Sequence, residues 1–108
     1  MKLSELCEKL SLTTISGDTE VVPTGVYAGD LLSRAMSHVE AGDLWITIMS
    51  NVNVVAVASL TEAAAVILAE GVELLPEALA AAREKGITVL SSPLTVYELC
   101  VRIGETVS

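Results

Sequence analysis

The sequence has few charged residues, and basic residues are the scarcest of them. Charged residues make up 19% of the 108 residues, against about 25% in an ordinary domain. Six Lys and Arg face fourteen Asp and Glu, so the net charge is −8. This charge repels phosphate backbones and anionic lipids, and no aromatic residues alternate with basic ones to stack on bases. We therefore expect no nucleic acid and no membrane as partners, and the scattered acids indicate an ordinary solvated surface.

Motifs for metal binding, disulfide frameworks and phosphate transfer are also missing. Cys7 and Cys100 are far apart and show no CxxC or Cys/His spacing. A kinase needs a Gly-x4-Gly-Lys-Ser/Thr loop to hold the phosphates of its nucleotide, and none of the three lysines, Lys2, Lys9 and Lys85, follows a glycine. We expect no metal, no cofactor and no catalytic residues.

The N-terminus lacks the apolar core and the cleavage site of a secretory signal. The longest apolar stretch, Val52–Ala69, is interrupted by Ser59, Thr61 and Glu62, so it does not predict a membrane span. These features predict a cytoplasmic soluble protein.

Hydrophobic residues, in contrast, are abundant at 52%. A length of 108 residues suits one domain, and we expect a single domain over residues 1–108. Because so few charges are available to cover the surface, some apolar surface is expected to meet a partner. A second copy of the chain is the commonest such partner, which predicts a homodimer.

The central third of the chain predicts the fold class. Two uncharged apolar runs, Leu44–Ile48 and Ala64–Leu68, are typical of strands buried on both faces of a parallel sheet. Between them, Asn51–Leu60 has the valines of a strand but the position of a crossover. A parallel pair requires a crossover, so we predict a helix capped by Asn51 or Asn53.

The other segments complete an α/β fold, a small mainly parallel sheet flanked by helices. Further helices are predicted from Leu3 to near Ser11, over Leu31–Ser37, from Pro76 to Gly86, and after Thr95; further strands are predicted over Thr13–Ser16, Val21–Tyr27 and Ile87–Leu90.

Several single residues are expected to have structural roles. Asp30 is in position to cap the helix that follows it, and Thr95 and Glu98 have the spacing of a capping box. Cys7 and Cys100 lie on the apolar stripes of their helices, where a buried thiol acts as a small hydrophobe.

The succession GDLLSRAM, GDLWITI, NVVAVASL, AAVILAEG, PEALAAAREKGITVLSS and TVYEL resembles a stand-alone DRTGG-type domain from about Tyr27 onward. This family is related to the N-terminal region of HPr kinase/phosphorylase and, more distantly, to the N-terminal domain of Mur ligases. Its namesake motif is absent. By segment order the motif falls at Leu68–Gly71, which keeps only a glycine.

The resemblance implies a fold like the N-terminal domain of HPr kinase/phosphorylase and of Mur ligases. It also implies a regulatory or dimerising role, since such domains are often fused to CBS domains, to phosphotransacetylase or to a kinase domain. We expect a non-catalytic module that senses a ligand or regulates a partner enzyme. The alternatives are a kinase-associated or phosphotransfer protein linked to HPr-type carbohydrate regulation, or a structural subunit of a larger complex.

Candidate ligand-binding residues follow from the predicted sheet. Ligands of open parallel sheets bind outside the carboxyl ends of the strands, where helix N-termini favour anions. A small anionic or nucleotide-like ligand is therefore expected there; the alternative is that these are ordinary turns and caps. The residues at these ends are Gly29, Asp30, Asn51, Asn53, Glu70, Gly71 and Ser92.

Four further residues leave alternatives open. His38, the only histidine, would carry a phosphotransfer role or simply end its helix. Asp30 and Asp43 would form a magnesium site only if their turns converge, and would otherwise act as caps. Trp45 is expected in the core or in a dimer interface.

Overall fold

The computed structural model describes residues 1–107, which form five helices and five strands. The helices are α1 (Leu3–Leu10), α2 (Leu32–His38), α3 (Val52–Thr61), α4 (Pro76–Lys85) and α5 (Val96–Val107). The strands are β1 (Thr13–Ser16), β2 (Gly25–Ala28), β3 (Asp43–Thr47), β4 (Ala65–Leu68) and β5 (Val89–Ser91).

All five strands form one mixed sheet in the order β1-β5-β4-β3-β2. The strands β2 to β5 pair in parallel, and β1 adds to the edge of β5 in the antiparallel direction. A small α/β fold with a mainly parallel sheet flanked by helices is thereby confirmed.

The helices cover both faces of the sheet in a fixed arrangement. From β2 to β5 each strand lies beside the one before it. Because the crossovers between them have the same handedness, α2, α3 and α4 lie on one face of the sheet. The helices α1 and α5 cover the other face. Successive residues of a strand point to opposite faces: Trp45 and Val66 pack towards α2, α3 and α4, while Leu44 and Ile67 pack towards α1 and α5. The central strands therefore need apolar residues at every position.

The valine-rich segment between β3 and β4 is helical, as the need for a crossover predicts. Asn51 caps α3, because its side-chain oxygen accepts from the amide of Asn53 at 3.0 Å. Val54 and Val55 are fully buried. Packing thus outweighs the preference of valine for strands.

The predicted ends of α4 and the predicted capping box of α5 are confirmed. Pro76 begins α4, and Gly86 ends it in the left-handed conformation with φ of 68°. At α5, the amide of Thr95 donates to Glu98 Oε1 and the amide of Glu98 donates to Thr95 Oγ1, both at 3.1 Å. This is a complete capping box.

The strand predicted over Val21–Tyr27 is wrong in its first half. Residues 21–24 form no strand, and β2 begins at Gly25. Pro23 has no amide hydrogen to donate to a sheet, and the amide of Thr24 donates to the carbonyl of Gly42 instead. The bounds of β3, β4 and β5 differ from the predicted ones by one or two residues.

None of the helices within residues 1–107 is both long and apolar enough to cross a membrane.

Candidate functional site

The carboxyl ends of β2, β3, β4 and β5 meet at one edge of the sheet, which we call the carboxyl edge. The loops after these strands lead into α2, α3, α4 and α5, so four helix N-termini face the same way. All seven predicted ligand-binding residues lie in these loops or in the first turn of α3. Hydrogen bonds divide them into two groups.

The first group surrounds Asp30, which does not cap α2 as predicted. Leu31 precedes α2 without a side-chain cap. Asp30 Oδ1 instead accepts from Thr47 Oγ1 at 2.7 Å and from the amide of Ile48 at 3.0 Å. The indole Nε1 of Trp45 donates to the carbonyl of Gly29 at 3.0 Å. These bonds fasten the end of β2 to the end of β3.

The loop after β3 is fastened in the same way. Asn51 is used as the cap of α3, Asn53 is exposed in the first turn, and the carbonyl of Ser50 accepts from the amide of Leu75 at 3.0 Å. The polar groups of Asp30 and Asn51 therefore hold turns together.

The second group joins the ends of β4 and β5. Glu70 and Gly71 both have positive φ, 59° and 71°. This turn lets the amide of Glu70 donate to the carbonyl of Leu94 at 2.8 Å, and the amide of Gly71 to the carbonyl of Ser92 at 3.0 Å. Ser92 is buried, and its Oγ accepts from the amide of Leu94. The Glu70 side chain is exposed.

A cavity of about 610 Å³ opens beside this second group, between β1 and α4. Gly71 and Ser92 line it, whereas the other five predicted residues do not. Its walls include Thr13 and Ile15 from β1 and Arg83 from α4. Cavities of 300–1,000 Å³ are of the size that binds small molecules.

The position of the cavity follows from the order of the strands. In an open parallel sheet, a ligand crevice forms where the strand order reverses. The order does not reverse among β2 to β5, so their carboxyl ends form no such crevice. The antiparallel β1 extends the sheet beyond α4, the last of the three crossover helices. Ile15 of β1 consequently stays half-buried, and space is left between β1 and the flank of α4.

The lining combines an apolar wall with hydroxyls and two charges of opposite sign. Arg83 is the cation and Glu73 is the anion among the residues that line the cavity. The apolar part includes Ile15, Leu68, Leu74 and Leu79, and the residues that carry hydroxyls are Thr13, Thr14, Ser91 and Ser92. The Thr14 side chain hydrogen-bonds to Cys7 of α1 on the opposite face, and Ser92 Oγ accepts from the amide of Leu94. Arg83 and the threonines were missed by sequence reasoning, because only the pairing of β1 with β5 places the threonines opposite the flank of α4 that carries Arg83.

His38 lies outside this cavity, at the exposed end of α2. Its Nδ1 is 2.9 Å from the carbonyl oxygen of Arg34, and its ring stacks on Tyr27 with centroids 6.2 Å apart. Nδ1 is also 2.9 Å from Ser37 Oγ, so it donates to the carbonyl in the tautomer with hydrogen on Nδ1 and accepts from the hydroxyl in the other tautomer.

Asp30 and Asp43 do not meet, so the condition for a magnesium site between them is not fulfilled. Asp43 begins β3, at the opposite edge from Asp30, and its Oδ2 accepts from the amide of Glu40. Trp45 is fully buried and belongs to the core. Within residues 1–107, no group of three or more His, Cys, Asp or Glu side chains is placed to hold a metal ion.

Both cysteines are half-buried and pack against the core beneath α1 and α5, in agreement with the structural role expected for them. Burial raises the pKa of the Cys7 thiol above its ordinary value.

One solved structure with the same fold contains the CBS and DRTGG domains of the regulatory region of Clostridium perfringens pyrophosphatase, in complex with its activator, diadenosine tetraphosphate. It is 18% identical to this chain and has a TM-score of 0.74. The match covers 89% of this chain and 43% of that one, so our chain spans less than half of that regulatory structure. A search of curated proteins found no match.

Protein-family comparison gives a match over nearly the whole sequence. The model of the DRTGG domain matches residues 4–106 of the 108. The resemblance noted from residue 27 onward thus extends to α1 and β1. The chain belongs to the DRTGG domain family.

Proposed function

We propose that this DRTGG domain is a non-catalytic regulatory module. It binds a small anionic ligand in the cavity between β1 and α4 and acts on a partner enzyme. The observation that carries the proposal is the cavity itself, which lies at the carboxyl edge and joins apolar walls to a cation. The similar fold in an activator-bound regulatory region of a pyrophosphatase supports it.

A non-catalytic role is supported by the groups around the cavity. Its lining contains hydroxyls, Arg83 and Glu73, but neither a histidine nor a cysteine. The histidine is instead at the C-terminal end of α2, next to Tyr27 of β2, the strand at the other side of the sheet from β1. A nucleophile with an adjacent base, which covalent catalysis requires, is not assembled among the lining residues.

Calorimetric titration with adenosine monophosphate, adenosine triphosphate and diadenosine tetraphosphate tests the proposal. We expect one of these nucleotides to bind, and Arg83→Met to weaken its binding. Arg102→Met, which removes an exposed arginine from α5 outside the cavity, is the matched control and should bind like the original chain. Absence of binding by all three nucleotides, or equal binding by Arg83→Met, would refute the proposed site.

We also propose that the module, one domain over residues 1–108, works as a homodimer. The outer edge of β2 supports this proposal. Its four residues pair with β3 in regular register and carry no charge, and Val26 is 38% exposed. Open edges of this kind pair readily with another strand unless charges block them.

Sedimentation at high micromolar concentration tests the homodimer. Val26→Glu should shift the chain towards the monomer, because it places a charge on the open edge. The control, Leu60→Glu, replaces a 72% exposed leucine on α3 and should leave the dimer intact. A strict monomer in the original chain would contradict the dimer without affecting the ligand proposal.

A phosphotransfer role linked to HPr-type regulation, with a relationship to HPr kinase/phosphorylase, is the second candidate. One observation favours it: the contacts with Arg34 and Ser37 occupy Nδ1 of His38 and leave Nε2 as the ring nitrogen available for phosphorylation. Incubation with labelled ATP or acyl phosphate tests it. Labelling that His38→Ala abolishes would support this role, and unchanged labelling or none would exclude it.

A further inference from the structure

We infer that the cavity selects a nucleoside carrying a single phosphate over a nucleoside polyphosphate. This inference rests on the proposed function, because it names the ligand class of the same cavity. It is drawn from the charges, the hydroxyls and the apolar wall of the lining. The inferred ligand differs from the diadenosine tetraphosphate bound by the similar pyrophosphatase region.

The charge of the lining sets the number of phosphates. Arg83 is the one cation among the lining residues, and its planar guanidinium suits bidentate binding of one phosphate. Each further phosphate would need its own cation or metal ion. Glu73 lines the same cavity, and the whole chain carries a net charge of −8. A polyphosphate would therefore be repelled more strongly than a monophosphate, whose charge of about −1.5 to −2 is largely balanced by one arginine.

The carboxylate of Glu73 indicates what else the ligand carries. A carboxylate accepts hydrogen bonds and donates none when ionised, so a ligand group that contacts the exposed Glu73 side chain has to be a donor. The two hydroxyls of a ribose are such donors, and acidic residues bind ribose hydroxyls in other α/β folds. Thr13 and Ser91 add hydroxyls to the lining that can donate as well as accept.

The apolar wall favours a base rather than a sugar alone. Ile15, Leu74 and Leu79 provide branched aliphatic surface. A purine buries a large apolar face against such a surface, whereas a sugar phosphate would leave it in contact with water. A volume of about 610 Å³ is ample for one mononucleotide, in the range of ordinary ligand sites.

The test compares the affinities of adenosine monophosphate, adenosine diphosphate, adenosine triphosphate, diadenosine tetraphosphate and glucose 6-phosphate for the full chain, by calorimetry in metal-free buffer. We expect adenosine monophosphate to bind at least about tenfold more tightly than the triphosphate or glucose 6-phosphate. Arg83→Met should lower its affinity by about tenfold or more, the usual effect of losing one charge-assisted bond.

Glu73→Ala tests the contact to the ribose separately. It should weaken the binding of adenosine monophosphate relative to that of its 2′,3′-dideoxy analogue, because the analogue lacks the donors; an equal change for both ligands would contradict the contact to the ribose. Glu77→Ala, in the first turn of α4 and outside the lining, is the control.

Two results overturn the inference in distinguishable ways. Tighter binding of the triphosphate or of diadenosine tetraphosphate, still dependent on Arg83, would refute the ligand class and leave the proposed function standing. No binding of any nucleotide, or binding that Arg83→Met does not alter, would refute both.

Discussion

Asp30 illustrates how one side chain fixes the ends of two strands. Its Oδ1 accepts from the hydroxyl of Thr47 and from the amide of Ile48. Thr47 is fully buried. Its Oγ1 also accepts from the amide of Met49, so it is the hydroxyl hydrogen that depends on Asp30. The position of Asp30 just before a predicted helix led us to expect a capping role, which is the kind of role that neighbouring residues can indicate. The role across two strands depends on the pairing of β2 with β3, which only the folded sheet provides.

The replacement Asp30→Ala should lower the free energy of unfolding by about 1–3 kcal/mol, the cost of leaving a buried hydroxyl without its acceptor. Urea denaturation measures the change. Glu105→Ala, which removes an exposed acid from α5, should change stability by no more than about 0.5 kcal/mol. Equal stability of the two variants would contradict the role assigned to Asp30.

At the scale of the element, local sequence signals predicted the caps of α3, α4 and α5 correctly. Asn51, Gly86 and the Thr95–Glu98 pair act at the ends of their helices as predicted, because caps depend on residues two to four positions apart. The first half of the strand predicted over Val21–Tyr27 failed because pairing partners are distant in sequence. Apolar residues alone do not determine where a ladder begins.

Glu98 makes the stability of α5 dependent on pH. The amide and the hydroxyl of Thr95 hold the pKa of the Glu98 carboxyl below its ordinary value of 4.5. A lowered pKa in the folded state adds stability above the ordinary value, and this contribution is lost as the pH falls below it. Glu98→Gln should therefore reduce stability at pH 7 and flatten the loss of stability in acid.

Thermal unfolding between pH 7 and pH 3 measures this effect. Glu105→Gln leaves both bonds of the capping box in place and serves as the control. If Glu98→Gln and the control lose stability in acid to the same extent, the carboxylate of Glu98 does not support α5.

Two glycines in or next to helices should respond to alanine in opposite directions. Gly86 has φ of 68°, so Gly86→Ala should cost about 1 kcal/mol. Gly104 lies within α5, where an added Cβ would meet nothing within 4 Å. Gly104→Ala should therefore stabilise the chain by roughly 0.5–1 kcal/mol. Urea denaturation of both variants checks the prediction, and two changes of the same sign would contradict it.

At the scale of the whole molecule, the strand order determines where a ligand can bind. The parallel strands, their crossovers and the carboxyl edge could be predicted from apolar runs and segment lengths. The antiparallel position of β1 could not, because Thr13–Ser16 carries no signal of its partner more than seventy residues away. Consequently Gly71 and Ser92 were predicted as site residues, whereas Thr13 and Arg83, which meet only because β1 lies beside α4, were not.

The central claim is that the ligand binds between β1 and α4 rather than elsewhere along the carboxyl edge. Titration of the ¹⁵N-labelled chain with adenosine monophosphate, followed by amide chemical shifts, tests it most directly. We expect the largest saturable changes at Thr13, Gly71, Arg83 and Ser92. Changes confined to the loops of Gly29, Asp30, Asn51 and Asn53, or no saturable change at all, would contradict the account.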